Sequence, residues 1–229
     1  MKVAVVSAAR TRSTLLTEHL YTVYPALNRR FEYYTQNLKK ENTSLNSLVQ
    51  ELLLDDNHIV KILGHNLRED CTPSIFRLDQ YDEIHLIERH DFFEQCCSLQ
   101  VCVSSGVWAL RAKESDYLIR KYDDIRKQKF SVSLETVISL SKDIAKYLSI
   151  KQYLLDNNIA FTEHNYDNVT EYSNELWTKD HNLNYKSIIS NYALKEEITK
   201  IFLEHYSYDN LIYDANSFKI AIESIKRLT

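Results

Sequence analysis

Short apolar runs that alternate with helical stretches constrain the fold of this chain most strongly. Four runs have the length and β-branched content of buried strands: residues 3–6, 58–63, 84–88 and 159–165. Apolar residues recur with the 3.6-residue period of a helix in the longer stretches between and after them: residues 13–24, 43–54, 91–110 and 132–156. Because parallel strands need helical crossovers, this alternation predicts a three-layer α/β fold, a central and mostly parallel sheet flanked by helices.

Local sequence patterns predict the structure of several further stretches. Residues 30–34 are predicted to be extended, and residues 113–129, which are rich in charged and aromatic side chains, to be mobile or solvent-facing. Asp91 is predicted to cap the helix that follows it. The remaining predicted helices lie at 72–80, 186–204 and 216–227.

Length and composition indicate an ordinary globular protein. The chain has 229 residues, of which 44% are hydrophobic and 26% charged, and no repeat or linker interrupts it. We therefore predict a single domain spanning residues 1–229. The net charge of −4 argues against a general nucleic-acid or membrane surface. Any anion site must then be a local basic pocket.

The cysteines and the N-terminus favour a cytoplasmic protein without a membrane span. Cysteine occurs at positions 71, 96, 97 and 102, with no C-x-x-C pair and no spacing typical of a metal site. Reduced, mostly buried thiols are the expected state. The N-terminal apolar run ends before Arg10 and is needed as a strand, and no apolar run reaches the roughly 20 residues of a membrane helix.

A cationic, hydroxyl-rich loop follows the first strand. Ser7, Ala8 and Ala9 lead into Arg10–Thr14, which contains two arginines and three hydroxyls, and a helix opens after it. Helix N-termini carry unpaired N–H groups and partial positive charge, so this loop is predicted to hold the anionic end of a nucleotide-like donor. The alternative is an ordinary strand, turn and helix with a Ser/Thr cap. The loop contains no glycine, so it is neither a Walker A motif nor a dinucleotide fingerprint.

More candidate residues follow the other strands. Arg89 and His90 come directly after the run at 84–88, and two cationic loops at one sheet edge suit a ligand with two anionic groups. Glu32 lies among Phe31, Tyr33 and Tyr34, where a raised pKa would make it a usable base. The alternatives are a surface arginine and a solvated strand glutamate.

His65, after the run at 58–63, is a reserve base. A histidine at such a position is more often a structural hydrogen-bonding residue.

Several segments together resemble the PAPS-dependent sulfotransferases, where PAPS is 3′-phosphoadenosine 5′-phosphosulfate. AARTRSTLL at 8–16 resembles their 5′-phosphosulfate loop, P-[KR]-[ST]-G-[ST]-T. FEYY at 31–34 looks like the E-Y-F segment of the bacterial trehalose-type enzymes, and the segment at 86–108 is similar to their 3′-phosphate segment. YDNV at 166–169 looks like the later Y-E-D-L segment.

The resemblance implies a P-loop-like sulfotransferase fold and transfer of a sulfuryl group from PAPS to a hydroxyl of a small molecule or glycan, without a metal. It implies that Arg10 and Glu32 are catalytic, with Glu32 as general base. It also implies a set of donor-binding residues: Arg10, Thr11, Arg12, Ser13, Thr14, Arg89 and Ser98.

The chain departs from the family pattern at three points. Ala9 stands where the loop usually has proline, and Arg12 stands where it has glycine, which predicts a strained backbone or a differently shaped loop. Arg89 precedes Ser98 by nine residues, whereas His90 holds the family's eight-residue spacing. The alternative functions are a P-loop-like kinase or phosphotransferase and a non-catalytic nucleotide-binding relative.

Overall fold

The computed structural model describes residues 1–30, 33–39, 43–107, 116–169, 183–207 and 212–228. They divide into two compact units. The first is drawn from Met1–Arg89 and Lys142–Tyr172, and the second from His90–Ser141, Ser173–Ser207 and Ile212–Thr229. The single-domain assignment stays a prediction.

The first unit is built on a five-stranded, wholly parallel sheet. Its strands are β1 Lys2–Ser7, β2 Asn28–Arg30, β3 His58–Leu63, β4 Glu83–Glu88 and β5 Thr162–Asn165. They lie in the order β2-β3-β1-β4-β5, and every neighbouring pair is parallel. Residues 3–6 of the central strand β1 are fully buried, as expected of a strand covered on both faces. The α/β prediction and the parallel sheet are confirmed.

The described residues contain ten α-helices. They are α1 Ser13–Val23, α2 Tyr33–Asn37, α3 Leu45–Leu53, α4 Phe92–Ser105, α5 Asp116–Lys127, α6 Leu134–Asp156, α7 Tyr166–Val169, α8 Tyr185–Ile188, α9 Lys195–His205 and α10 Ala215–Glu223. Asp91 caps α4 as predicted, since its side chain accepts a hydrogen bond from the backbone N–H of Glu94 at 2.9 Å. None of the helices in the described part of the chain is both long and apolar enough to cross a membrane.

Helices α1 and α6 cover opposite faces of the sheet. Lys61 of β3, in register with Val5 of β1, donates a hydrogen bond to Thr14 of α1, so their shared face is the α1 face. Glu88 lies three residues beyond the β4 partner of Val5 and therefore points to the other face. There it accepts a hydrogen bond from Lys151 of α6. The first unit thus has three layers.

The second unit is helical, with an aromatic cluster at its centre. The rings of Phe92 and Phe202 stack with centroids 3.8 Å apart, and the ring of Tyr206 stacks on that of Phe202 with centroids 4.9 Å apart. The ring of Phe218 meets these three rings edge-on. This unit also holds a small antiparallel pair, β6 Tyr206–Ser207 and β7 Ile212–Tyr213.

Two predictions of secondary structure were wrong. Residues 30–34 are not one extended segment, because β2 ends at Arg30 and Tyr33 already begins α2. The segment 113–129, predicted to be mobile or solvent-facing, contains the helix α5, and most of its described side chains are exposed, so it is solvent-facing although the helix was not predicted. The helix predicted at 186–204 is interrupted, since Ile189 leaves α8 to form a β-bridge with Phe130.

Candidate functional site

The loop after β1 leaves the sheet at its topological switch point. From β1 the chain places β2 and β3 on one side and β4 and β5 on the other. In open parallel sheets, ligands bind outside the carboxyl ends of the strands at this point. We call residues 8–14, which join β1 to the first turn of α1, the anion loop.

The anion loop has the backbone of a glycine loop without containing glycine. Arg10 has φ 63° and Arg12 has φ 62°, both in the left-handed region. Arg12 therefore keeps the conformation that glycine adopts freely, at a cost of about 1–2 kcal/mol. It is also the N-cap of α1 and gives no side-chain cap hydrogen bond. The first N–H groups of α1 are thus left without a side-chain cap.

The three hydroxyls of the loop have different environments. Thr11 is 1% exposed, and its hydroxyl donates to the carbonyl oxygen of Ala8 at 3.0 Å, which closes the loop on itself. Ser13 is also buried. The Thr14 hydroxyl accepts a hydrogen bond from the Nζ of Lys61 at 3.0 Å, and Lys61 is itself only 5% exposed. A buried cation therefore lies against the first turn of α1.

Arg12 and Arg89 meet at the ring of Tyr166. The guanidinium carbon of Arg12 lies 3.9 Å from the ring centroid, and that of Arg89 lies 4.1 Å from it. Arg12 also donates to the carbonyl oxygen of Tyr166 at 3.4 Å, and Arg89 donates to the carbonyl oxygen of Arg10 at 3.3 Å. The residues after β1, β4 and β5 are therefore brought together as the parallel topology predicts.

Asp143 of α6 fastens the anion loop to the end of β3. Its Oδ2 accepts the backbone N–H of Ala9 at 2.5 Å, and its Oδ1 accepts the backbone N–H of His65. The Nδ1 of His65 lies 3.2 Å from the same Oδ1, so the ring can be oriented with Nε2 directed away from the carboxylate. Gly64 is required here, because a Cβ at that position would overlap the backbone carbonyl of Asp143.

Three further candidates from the sequence are Glu32, Ser98 and His90. Glu32 falls outside the described residues. Ser98 is buried on α4, which belongs to the second unit, as does His90. The described site therefore consists of the anion loop with Lys61 and the residues at the ends of β3, β4 and β5.

Sequence reasoning missed Lys61, Asp143 and the position of the Tyr166 ring. The sequence does distinguish Lys61, since it is the one charge inside the apolar run HIVKIL. No sequence feature distinguishes Asp143, because it is one of several acidic residues on a long amphipathic helix. Tyr166 directly follows β5, and that position places it at the same edge as the anion loop.

A second charged cluster lies on the α6 face of the sheet. Glu88 accepts hydrogen bonds from the hydroxyl of Tyr147 at 3.0 Å and the Nζ of Lys151 at 2.8 Å, and Lys151 also lies 2.9 Å from Glu163. Burial lowers the pKa of Lys151, but its hydrogen bonds to the two carboxylates outweigh this and raise the pKa above its ordinary value.

A histidine pair lies on the α1 face. The Nδ1 of His85 is 3.0 Å from the Nε2 of His164, and the Nε2 of His85 is 3.1 Å from Glu83, which also accepts the hydroxyl of Tyr24. Burial, together with the nearby His85 and His19, lowers the pKa of His164 to about 4. The described residues contain no group of three or more His, Cys, Asp or Glu side chains that could hold a metal ion.

No protein-family model matches the chain, and no curated protein is significantly similar to it.

Proposed function

We propose that the protein is a sulfotransferase with a P-loop-like sulfotransferase fold, which moves a sulfuryl group from PAPS to an acceptor hydroxyl. One observation carries the proposal: the anion loop, at the switch point of a parallel sheet, contains Arg10 and Arg12 and is contacted by Lys61 and Arg89. In a protein of net charge −4, this concentration of cations is a local feature that suits a ligand with several negative charges.

The anion loop supplies the groups that the 5′-phosphosulfate requires. The uncapped N–H groups of α1 and the hydroxyls of Ser13 and Thr14 are donors for phosphate or sulfate oxygens. Arg10 stabilises the charge that develops on the leaving phosphate. Thr11 acts by closing the loop. Following the sequence resemblance, Arg89 holds the 3′-phosphate of the donor.

Transfer is an in-line displacement at sulfur. The acceptor oxygen forms a bond to sulfur while the bond from sulfur to the phosphate oxygen breaks, and PAP leaves. The acceptor's proton passes to Glu32 as general base. His65, whose ring is held by Asp143, is the second candidate for this proton.

Ligand-induced stabilisation tests the donor site. We expect PAP to raise the melting temperature of the protein, with about 2.7 kcal/mol of stabilisation at 100 times its Kd. Arg10→Ala should lose this shift, whereas Arg68→Ala, which removes an exposed arginine paired with Asp70, should keep it. No shift with millimolar PAP would contradict the proposal. A shift with ATP and Mg²⁺ but not with PAP would favour the phosphotransferase alternative.

Turnover tests the chemistry. PAPS should be consumed with one of a panel of sugar, phenol and alcohol acceptors, and Glu32→Gln should abolish transfer while PAP binding is retained. If instead His65→Asn abolishes transfer and Glu32→Gln does not, His65 is the base. PAP binding without turnover on any acceptor would support the non-catalytic alternative.

A further inference from the structure

Tyr166 contacts two arginines of the candidate site. Its ring lies against the guanidinium groups of Arg12 and Arg89, at 3.9 and 4.1 Å from centroid to guanidinium carbon. Its backbone carbonyl also accepts a hydrogen bond from Arg12. Tyr166 directly follows β5, whereas Arg12 lies in the loop after β1 and Arg89 directly follows β4. A residue at the end of one strand therefore contacts arginines that follow two other strands.

We infer that Tyr166 is a positioning residue for the polyanionic ligand of this site, which on the proposed function is PAPS. It holds Arg12 and Arg89 at the anion loop through the face of its ring. It acts on the ligand through these two arginines rather than by chemistry of its own.

The choice of an aromatic ring has a physical consequence. An aromatic face attracts a guanidinium through its quadrupole but carries no net charge. The carbonyl oxygens of Tyr166 and Arg10, which these arginines also contact, are likewise uncharged. Such contacts fix the direction of an arginine without themselves cancelling its positive charge. A carboxylate in the same place would fix the arginine and cancel its charge.

Like-charge repulsion makes this positioning necessary. Two guanidinium groups that lie against the same ring carry like charges and repel each other. Without the ring, Arg12 and Arg89 would separate, and a ligand would have to bring them together when it binds. With the ring in place, part of that cost is met before binding, which increases affinity.

Three variants test the inference. Tyr166→Phe keeps the ring, and Tyr166→Leu removes it. The matched control is Tyr21→Leu, which removes the ring that lies 3.7 Å from the guanidinium carbon of Arg29 in the same unit. Calorimetry should measure the Kd of PAP and, separately, of inorganic pyrophosphate, and steady-state assays should measure KM for PAPS and kcat.

We expect Tyr166→Leu to raise the Kd of both anions and the KM for PAPS about tenfold, with kcat within about twofold of wild type. Tyr166→Phe should stay within about twofold of wild type in all values. Tyr21→Leu should leave both Kd values unchanged even if its melting temperature falls. Arg12→Gln should lose less affinity in the Tyr166→Leu background than alone, because the two residues act together.

Other results would overturn the inference. It fails if Tyr166→Leu binds both anions as wild type does, or if Tyr166→Phe loses as much affinity as Tyr166→Leu. If wild type binds pyrophosphate but not PAP, the proposed function fails, and the pyrophosphate values still decide the role of Tyr166. Binding of neither anion by wild type contradicts both. Should Tyr166→Leu not fold, Tyr166→Gln takes its place with the same expected values.

Discussion

Glu88 and Arg89 are neighbours in the chain, yet they belong to two opposite kinds of charged cluster. Glu88 points to the α6 face, where Lys151 lies between two carboxylates and Tyr147 adds a hydrogen bond. Arg89 contacts the ring of Tyr166 and a backbone carbonyl beside the anion loop. Lys151 contacts carboxylates in the first cluster, whereas these contacts of Arg89 in the second are to uncharged groups.

The difference indicates different uses. In a buried ion pair each charged group already has its partner, so neither group is available to bind a ligand. Removing one partner lowers the free energy of unfolding strongly. Cations held by uncharged groups cost the fold electrostatic repulsion, and an anionic ligand relieves it. We therefore expect substitutions in the first cluster to affect stability and substitutions in the anion loop to affect binding and transfer.

The largest expected effect is that of Arg10→Ala. It removes a cation placed at the developing charge, so transfer from PAPS should fall about 10²- to 10³-fold. The melting temperature should stay close to that of wild type, because Arg10 is partly exposed rather than buried in the core. Single-turnover rates and thermal denaturation check this. A large loss of stability with a small loss of rate would contradict the functional assignment of the loop.

Lys151→Met should have the largest effect on stability. It leaves Glu88 buried without its cation, and breaking such a pair costs about 3 kcal/mol or more. Urea denaturation at pH 7 measures the loss. Lys142→Met, an exposed lysine on the same helix, is the control and should change stability by less than about 0.5 kcal/mol. Equal effects of the two substitutions would mean that the buried cluster contributes no more to stability than an exposed lysine does.

Position 12 should prefer glycine to alanine by about 1 kcal/mol. Both substitutions remove the guanidinium, and only alanine keeps the strain of the left-handed backbone. At the exposed helical Gln50 of α3 the order should be reversed, since glycine is unfavourable in a helix. Denaturation of the four variants gives the comparison. An alanine preference at position 12 would mean that the loop rearranges.

The smallest expected effect concerns pH and the histidine pair. The folded pKa of His164, about 4, lies below the value near 6.5 of an unfolded histidine. As pH falls below 6.5 the unfolded state binds a proton that the folded state does not, so stability present above pH 6.5 is lost toward pH 4. The pH slope of the unfolding free energy should be shallower in His164→Gln.

The main strands and the meeting of three arginines could be predicted from the sequence. The runs that became β1, β3 and β4 are nearly continuous apolar segments, and the carboxyl ends of parallel strands share an edge. That topology brings Arg10, Arg12 and Arg89 together whatever the details of the loops. Their roles toward a donor stay predictions.

Other features depended on contacts that no local pattern encodes. The segment after β2, predicted to be extended, becomes a helix at Tyr33, and β2 pairs with β3 over only three residues. Lys61 could be noticed as a buried charge, but its bond to Thr14 follows from how α1 packs on the sheet. The contact of Asp143 with Ala9 joins residues 134 positions apart.

The left-handed arginines of the anion loop also bear on the thermodynamics of binding. A loop that relies on glycine keeps many conformations open and loses that freedom when it orders around a ligand. Arg10 and Arg12 have side chains that narrow the choice, so more of the ordering entropy is lost when the chain folds. A ligand that enters such a loop meets a nearly fixed backbone, and its binding carries a correspondingly smaller entropic penalty.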